Sequence, residues 1–221
     1  KTPLTSIRGY GELLRSGVVN DPKQAQECVD RILKETTHMT ALITDILMIS
    51  RLEGNDVVEK KTDIALRPAV EELCKSFTPM ANEHRVMLEM QCETLCVHMS
   101  QKHVEQLIGN LISNAIKYNH EGGTVDVLIR RQENLLVITV EDSGIGISKE
   151  DEKHIFERFY RVDKGRSRKI GGTGLGLSIV KHIARYYHGK IDLFSRENIG
   201  TTITITLPDV IVDESSADQA A

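Results

Sequence analysis

With 221 residues, 40% of them hydrophobic, the chain is long enough for one large domain or two modest ones. A formal net charge of −4 offers no basic footprint for a phosphate backbone, so nucleic acid is not an expected partner, although the basic stretch Lys164 to Lys169 could meet a small polyphosphate. No apolar run reaches the roughly 18–20 residues of a bilayer span and no signal-peptide pattern opens the chain. Cys28, Cys74, Cys92 and Cys96 form neither a CxxC pair nor a zinc-binding spacing, so reduced, mostly buried thiols are expected.

Residues 1–17 carry Leu4, Ile7 and Leu14 at helical spacing, with Leu13 beside them. The pattern starts abruptly at Lys1, as expected of a piece of a longer protein. Asn20-Asp21-Pro22 is a stop and a restart, because Asp21 can cap a helix and Pro22 suits a first turn. From there to Gly54, Val29, Ile32, Met39, Ile43 and Ile46 keep a 3-4 rhythm, widened by Leu33, Leu42, Leu47 and Leu52. This second helix is about 50 Å long at about 1.5 Å per residue. A rod with so broad an apolar face and one shorter neighbour cannot bury that face alone. A homodimer forming a four-helix bundle is therefore expected.

After Gly54-Asn55-Asp56 the periodicity changes to mixed α and β. A strand is expected at Val57–Lys61, a helix at Leu66–Asn82, strands at Val86–Gln91 and Leu95–His98, and a helix at Gln101–Tyr118. Thr124–Arg131 and Leu135–Glu141 alternate about the polar turn Gln132-Glu133-Asn134 and predict a hairpin. A glycine-rich region leads to a helix at Leu175–Tyr187, and Lys190–Ser195 with Thr201–Leu207 predict a last hairpin. Beyond Pro208 the acidic, small-residue composition predicts a disordered tail. The expected fold class is thus α+β: an antiparallel helical hairpin in residues 1–54, an α/β sandwich with helices on one face of a mixed sheet in 55–208, and a tail in 209–221.

Three stretches carry chemistry. Asn110, Asn114 and Lys117 fall at i, i+4 and i+7 on one helix face, where an amide oxygen can hold Mg²⁺ and a lysine can reach phosphate; a solvated polar face is the alternative. Asp142-Ser143-Gly144-Ile145-Gly146 follows a strand, so Asp142 can accept from an exocyclic amine while the glycines allow close backbone approach, although many tight turns read similarly. Gly171-Gly172-Thr173-Gly174-Leu175-Gly176-Leu177 enters a helix and exposes backbone N–H groups to an anion. It is neither a P-loop nor a Rossmann fingerprint, for want of a following Gly-Lys-Ser/Thr and of a preceding buried strand.

In their order and spacing these stretches resemble the ATP-binding domain that histidine kinases share with gyrase, Hsp90 and MutL-type ATPases, the GHKL (Bergerat) sandwich, over about Asp56 to Pro208. The asparagine helix resembles that family's N box, Asp142 to Gly146 its first glycine box, and Gly172 to Leu177 its second. Ile155-Phe156-Glu157-Arg158-Phe159-Tyr160-Arg161 resembles the F box, which points to bacterial sensor histidine kinases in particular. The resemblance implies ATP and Mg²⁺ as cofactors. Asn114 would hold the metal with Asn110 nearby; Lys117 and Arg161 would approach the phosphates, and Tyr118 the nucleotide. Asp142 would accept the adenine amine, with Ile147 against the ring. Gly144, Gly146, Gly172, Thr173, Gly174, Leu175, Gly176 and Leu177 would shape the nucleotide's surroundings. Gly200-Thr201-Thr202 resembles a late Gly-Ser-Thr element, so Thr202 would reach adenine, through water or directly, and residues 160–172 would form a lid.

Lys1-Thr2-Pro3-Leu4-Thr5 resembles the end of the kinase H box. By that match the phosphoacceptor histidine and its glutamate precede Lys1, the histidine by three residues, and Thr2 would orient water when a response regulator is dephosphorylated. His120-Glu121-Gly122-Gly123-Thr124 imitates part of that box but sits in a glycine turn, and His38 lacks a following carboxylate. Water-splitting relatives carry a glutamate four residues before the magnesium asparagine; here that position is Asn110, which takes no proton at neutral pH. The resemblance therefore implies phosphoryl transfer to histidine and onward to a response-regulator receiver domain, with Asn110, Lys117 and Thr2 as catalytic candidates. It further implies a cytoplasmic portion of an inner-membrane sensor, tied to the membrane only by upstream segments. A nucleotide-sensing scaffold without catalysis and a GHKL ATPase are the competing readings.

Overall fold

The computed structural model describes residues 3–53, 60–162 and 173–212. Two antiparallel helices open it, α1 (Pro3–Arg15) and α2 (Pro22–Glu53). Gly17 takes φ +68° just past the end of α1, a conformation that costs glycine little. Asp21 starts α2 as its sequence neighbourhood predicts: its carboxylate accepts the Lys23 N–H at 3.4 Å and its carbonyl the Ala25 N–H at 3.0 Å. The hydroxyls of Thr36, Thr37, Thr40 and Thr44 each donate to the carbonyl one turn back, which satisfies them inside the helix.

The second part is built on a five-stranded mixed sheet, in the order β2-β4-β5-β7-β6. Its members are β2 (Met87–Cys92), β4 (Thr124–Gln132), β5 (Leu135–Asp142), β6 (Lys190–Arg196) and β7 (Gly200–Pro208). β2 and β4 are parallel, and the other neighbours are antiparallel. A small antiparallel sheet, β1 (Thr62–Ala65), β3 (Cys96–Met99) and β8 (Ile211–Val212), lies in the order β1-β3-β8. Strict alternation decides which sheet face is covered. Val125, Val127, Ile129, Leu136, Ile138, Val140, Ile203, Ile205 and Leu207 point into the core, while Asp126, Thr139, Glu141, Thr202, Thr204 and Thr206 take the other face. Helices α3 (Leu66–His84), α4 (Gln101–Lys117) and α5 (Gly176–Tyr186) supply the facing layer. The α4 contribution is Val104, Leu107, Ile108, Leu111, Ile112, Ala115 and Ile116, every one of them buried. The α+β class, with a helical hairpin ahead of a one-sided sandwich, is as the sequence predicts.

Two boundaries differ from expectation. The strand expected at Val57–Lys61 is found at Thr62–Ala65, with Lys60 and Lys61 outside any strand and 57–59 outside the described residues. Ile64 pairs with Val97 and is buried, so tertiary pairing outweighs the local apolar pair Val57-Val58. Residues 209–212, expected to belong to a disordered tail, are ordered instead. Val210 is buried, its carbonyl accepts the His98 N–H at 2.7 Å, and Ile211 and Val212 pair with Val97 and Cys96. Residues 213–221 lie outside those described. All four cysteines are free thiols, and burial pushes Cys92 up to about 11, which leaves it unreactive.

The hairpin is coupled to the sandwich through α2, which packs on α5 and lends Met48 and Ile49 to the core. Most of its apolar stripe stays outside: Leu4 is 62% exposed, Leu33 59%, Ile43 54% and Leu47 53%.

One polar cluster locks α4 to α5. The Tyr187 hydroxyl, just past α5, accepts the Ser100 N–H at 3.0 Å and lies 3.0 Å from His103 Nδ1. The Tyr186 and Tyr187 rings meet His103 edge-on at centroid distances of 5.2 and 5.7 Å, and the Lys61 ammonium lies 5.1 Å from the Tyr187 ring centre. Tyr187→Phe keeps the ring packing and removes the acceptor of a buried N–H. It is expected to lower stability by about 1–2 kcal/mol in urea unfolding, with the unfolding slope unchanged.

Candidate functional site

Helix α4 ends in the asparagine stripe. Asn110 Nδ2 donates to the Gln106 carbonyl one turn back at 2.8 Å, which turns the amide oxygen away from its own helix. That oxygen faces the first turn of α5, where a Cβ built on Gly176 would sit 2.7 Å from it; glycine there lets the two helices meet. Asn114 and Lys117 follow on the same half-buried face. Burial lowers the Lys117 pKa, because an ammonium partly removed from water is harder to keep charged.

The end of α4 is fastened to the first glycine box by backbone. The Tyr118 carbonyl accepts the Ile145 N–H at 3.0 Å, and the Asn119 amide donates to the Thr124 carbonyl at 2.8 Å. Ser143 joins them: its hydroxyl accepts the Thr124 N–H at 2.8 Å and donates to Asn119 Oδ1 at 3.3 Å. Tyr118 thus stands beside the first glycine box through its carbonyl.

Asp142 closes β5. Its Oδ1 accepts the Gly144 N–H at 2.9 Å, and a backbone N–H from Thr201 also reaches the carboxylate. Burial outweighs both donors and pushes the carboxyl up to about 6. The following turn needs Gly146 at φ +65°, where any Cβ would overlap the Arg196 carbonyl oxygen. Ile147, half-buried beside it, donates its N–H to Ser195 Oγ at 2.9 Å.

The second glycine box meets the start of α5. Thr173 Oγ1 accepts the Leu175 N–H at 3.1 Å and donates to Asp45 of α2 at 3.2 Å, and burial raises the Asp45 pKa. Leu175 is fully buried, so it offers the site only backbone, whereas Gly176 and Leu177 are half-buried in the first turn. The Gly174 carbonyl accepts the N–H of Phe159, an F-box residue held at φ +62°, at 2.9 Å. Arg161 is described and half-buried; Gly172, Thr2 and most of the expected lid, residues 163–172, lie outside the described residues.

One expected site residue lies on the opposite sheet face from Asp142. Thr202 is in register with Glu141 and shares the outer sheet face with it, so its side chain points away from Asp142. Thr201, in register with Asp142 and only 8% exposed, takes the inner face. A motif match alone gave no strand phase; the β5–β7 register supplies it. Asn119, Ser143 and Ser195 were also missed, because each acts through a hydrogen bond to a residue distant in sequence.

Among the described residues no group of His, Cys, Asp and Glu could hold a metal. The donors at this site are the amide oxygens of Asn110 and Asn114. They suit a hard cation such as Mg²⁺, which keeps several waters and takes its charge neutralisation from a polyphosphate.

Residues 99–211 match the family described as histidine kinase-, DNA gyrase B- and HSP90-like ATPases, and residues 1–55 match the His Kinase A (phospho-acceptor) domain. The sensor histidine kinase WalK of Bacillus subtilis is 37% identical over all of this chain, which spans 36% of WalK. Among solved structures, the Acinetobacter baumannii histidine kinase AdeS overlays with a TM-score of 0.78 at 23% identity, covering 94% of this chain and 95% of that one. The histidine kinase ThkA, solved in complex with the response regulator TrrA, overlays with a TM-score of 0.72 at 23% identity, covering 93% of this chain and 57% of that one. The last two likenesses bear on fold.

The Asp142 pKa carries a sign. The unfolded chain releases this proton near 3.8 and the folded chain near 6, so ionising the carboxyl is harder when folded. Stability conferred at this position is therefore highest below about pH 4 and falls as pH rises to 6, by up to about 3 kcal/mol. Relative to Asp142→Asn, the wild-type chain should lose stability across that window, read as the difference between their urea midpoints at pH 4.5 and pH 7.

Proposed function

Because the chain belongs to the bacterial sensor histidine kinase family, we propose that it forms the dimerisation and ATP-binding core of a two-component kinase. Residues 1–54 are the dimerisation and phosphotransfer hairpin, and residues 55–208, extended by β8, the catalytic domain. The observation that carries this reading is the convergence of a half-buried Asp142 with an asparagine stripe whose Asn110 oxygen faces the first turn of α5.

On this reading ATP lies along the C-terminal half of α4, between the first glycine box and the start of α5. Ionised Asp142 accepts from the exocyclic amine of adenine, with Thr201 beside it in place of Thr202, and Ile147 and Tyr118 line the base and ribose. The polyphosphate meets the backbone N–H groups at the start of α5, where unpaired donors and the helix dipole favour an anion. Half-buried Lys117 and Arg161 add positive charge. Asn114 and Asn110 hold Mg²⁺, which neutralises phosphate charge when bound. The glycines of both boxes and Thr173 form the walls.

Asn110 supports transfer over hydrolysis. Its amide is committed to the Gln106 carbonyl and has no basic lone pair with which to activate water. The γ-phosphoryl group instead passes to a histidine ring nitrogen as the bond to the ADP oxygen breaks. By family resemblance that histidine lies three positions before Lys1, so this chain alone accepts no phosphate. From histidine the group moves to a response-regulator aspartate, and Thr2 would orient the water that later hydrolyses the aspartyl phosphate to inorganic phosphate. The chain spans about a third of the length of its WalK relative, and upstream segments would provide sensor and membrane attachment.

Dimerisation follows from the exposed apolar stripe of α1 and α2, where each fully buried leucine or isoleucine contributes about 1.5–3 kcal/mol.

Calorimetric titration tests the site. Wild-type chain should bind ATP more tightly with Mg²⁺ than without, and Asn114→Ala should abolish that difference. Lys117→Ala should weaken ATP about tenfold and ADP much less, because one ammonium meets one end of the triphosphate. Equal losses for ATP and ADP in the lysine variant would remove Lys117 from the γ-phosphate.

A further inference from the structure

Ser195 lies on β6, only 4% exposed, at the point where three segments of the proposed base pocket meet. Its Oγ accepts the Ile147 N–H at 2.9 Å from the first glycine box. The same oxygen is 2.8 Å from Thr201 Oγ1 and 3.1 Å from the Gly200 carbonyl, both at the start of β7. A second tie runs parallel, from the Asn198 N–H to the Ile145 carbonyl at 2.8 Å. The β6–β7 turn and the glycine box thus form one clamp, with a hydroxyl at its centre.

A hydroxyl has one proton, and here two acceptors compete for it. When Ser195 donates to Gly200, Thr201 donates to Ser195 and turns only lone pairs toward the pocket. When Ser195 donates to Thr201, the Thr201 proton is released and points outward as a donor. Purines differ in this respect. A 6-aminopurine presents an amine donor beside a bare ring-nitrogen acceptor; a 6-oxopurine presents an oxygen acceptor beside an N–H donor. Ionised Asp142 is an acceptor only and matches the amine. The neighbouring acceptor then needs a donor, which is the second hydroxyl arrangement.

We propose that Ser195 is a positioning residue for purine recognition, setting the proton direction of Thr201 and the seat of Ile147 so that a 6-aminopurine is preferred to a 6-oxopurine. This rests on the ATP-binding reading above and adds the residue that makes the base pocket selective. Removing the hydroxyl leaves the half-buried Ile147 N–H without its acceptor and takes from Thr201 the donor that directs its own proton into the pocket, which a 6-aminopurine needs and a 6-oxopurine does not. The two purine classes should therefore respond differently.

The test compares ATP with ITP, which differ at the 6-position, by calorimetric titration of wild type, Ser195→Ala and Ser195→Thr. Ser195→Ala should weaken ATP about tenfold and ITP no more than about threefold, while Ser195→Thr, which keeps the hydroxyl, should restore most of the preference. Amide exchange at Ile147 without nucleotide should quicken in the alanine variant and not in the threonine variant. Parallel losses for ATP and ITP, or an unchanged ATP affinity in Ser195→Ala, would overturn the assignment. Should wild type bind neither nucleotide, the ATP-binding reading itself fails, a result distinct from either.

Discussion

A half-buried carboxylate at the end of a strand is the constraint on which the rest of the catalytic domain depends. Asp142 sits at the last position of β5, and burial alone would keep it protonated well above the ordinary carboxylate range. The backbone N–H groups of Gly144 and Thr201 partly offset that cost. For them to reach it, the chain must turn sharply after β5, and β7 must start beside the end of β5. The first requirement brings the Gly146 turn against the β6–β7 connection; the second fixes the β5–β7 register that places Thr201 inward. The end of α4 is then drawn in, because the Tyr118 carbonyl is the acceptor for the Ile145 N–H.

The same economy of polar groups recurs at the phosphate end. Asn110 spends its donor within α4 and turns its oxygen to the start of α5, and burial lowers the Lys117 pKa. α2 adds a contact from outside the sandwich. Asp45 accepts from Thr173, whose hydroxyl oxygen also receives the Leu175 N–H, while Met48 and Ile49 join the core. Hairpin and glycine box therefore share one hydrogen bond and one packed surface.

What was legible in the sequence was what acts locally. The α4 stripe follows from helical spacing, the helix start at Asp21-Pro22 from capping chemistry, and the sheet's inner face from alternation. Glycine boxes were legible because their backbone geometry restricts residue choice. Pairing between distant segments was not. Strand β1 is set by Ile64 opposite Val97, and β8 exists because β3 offers it an edge. The exchange of Thr202 for Thr201 has the same origin, since only the register with β5 tells which of two adjacent threonines faces Asp142. Ser195, Asn119 and Ser143 looked like ordinary polar residues in strand and turn. Their roles arise from hydrogen bonds spanning between 5 and 48 residues of sequence.

The most direct measurement is the titration of the Asp142 carboxyl itself, followed by carbon NMR in chain labelled at aspartate, free and with saturating ADP. In the free chain the midpoint should lie at about 6. Adenine's amine donates to the ionised form, so ADP should lower the midpoint by about one unit or more, whereas inorganic tripolyphosphate, which has no base, should leave it in place. A midpoint that stays put when ADP binds would contradict the account, because Asp142 would then not be the group that receives the base.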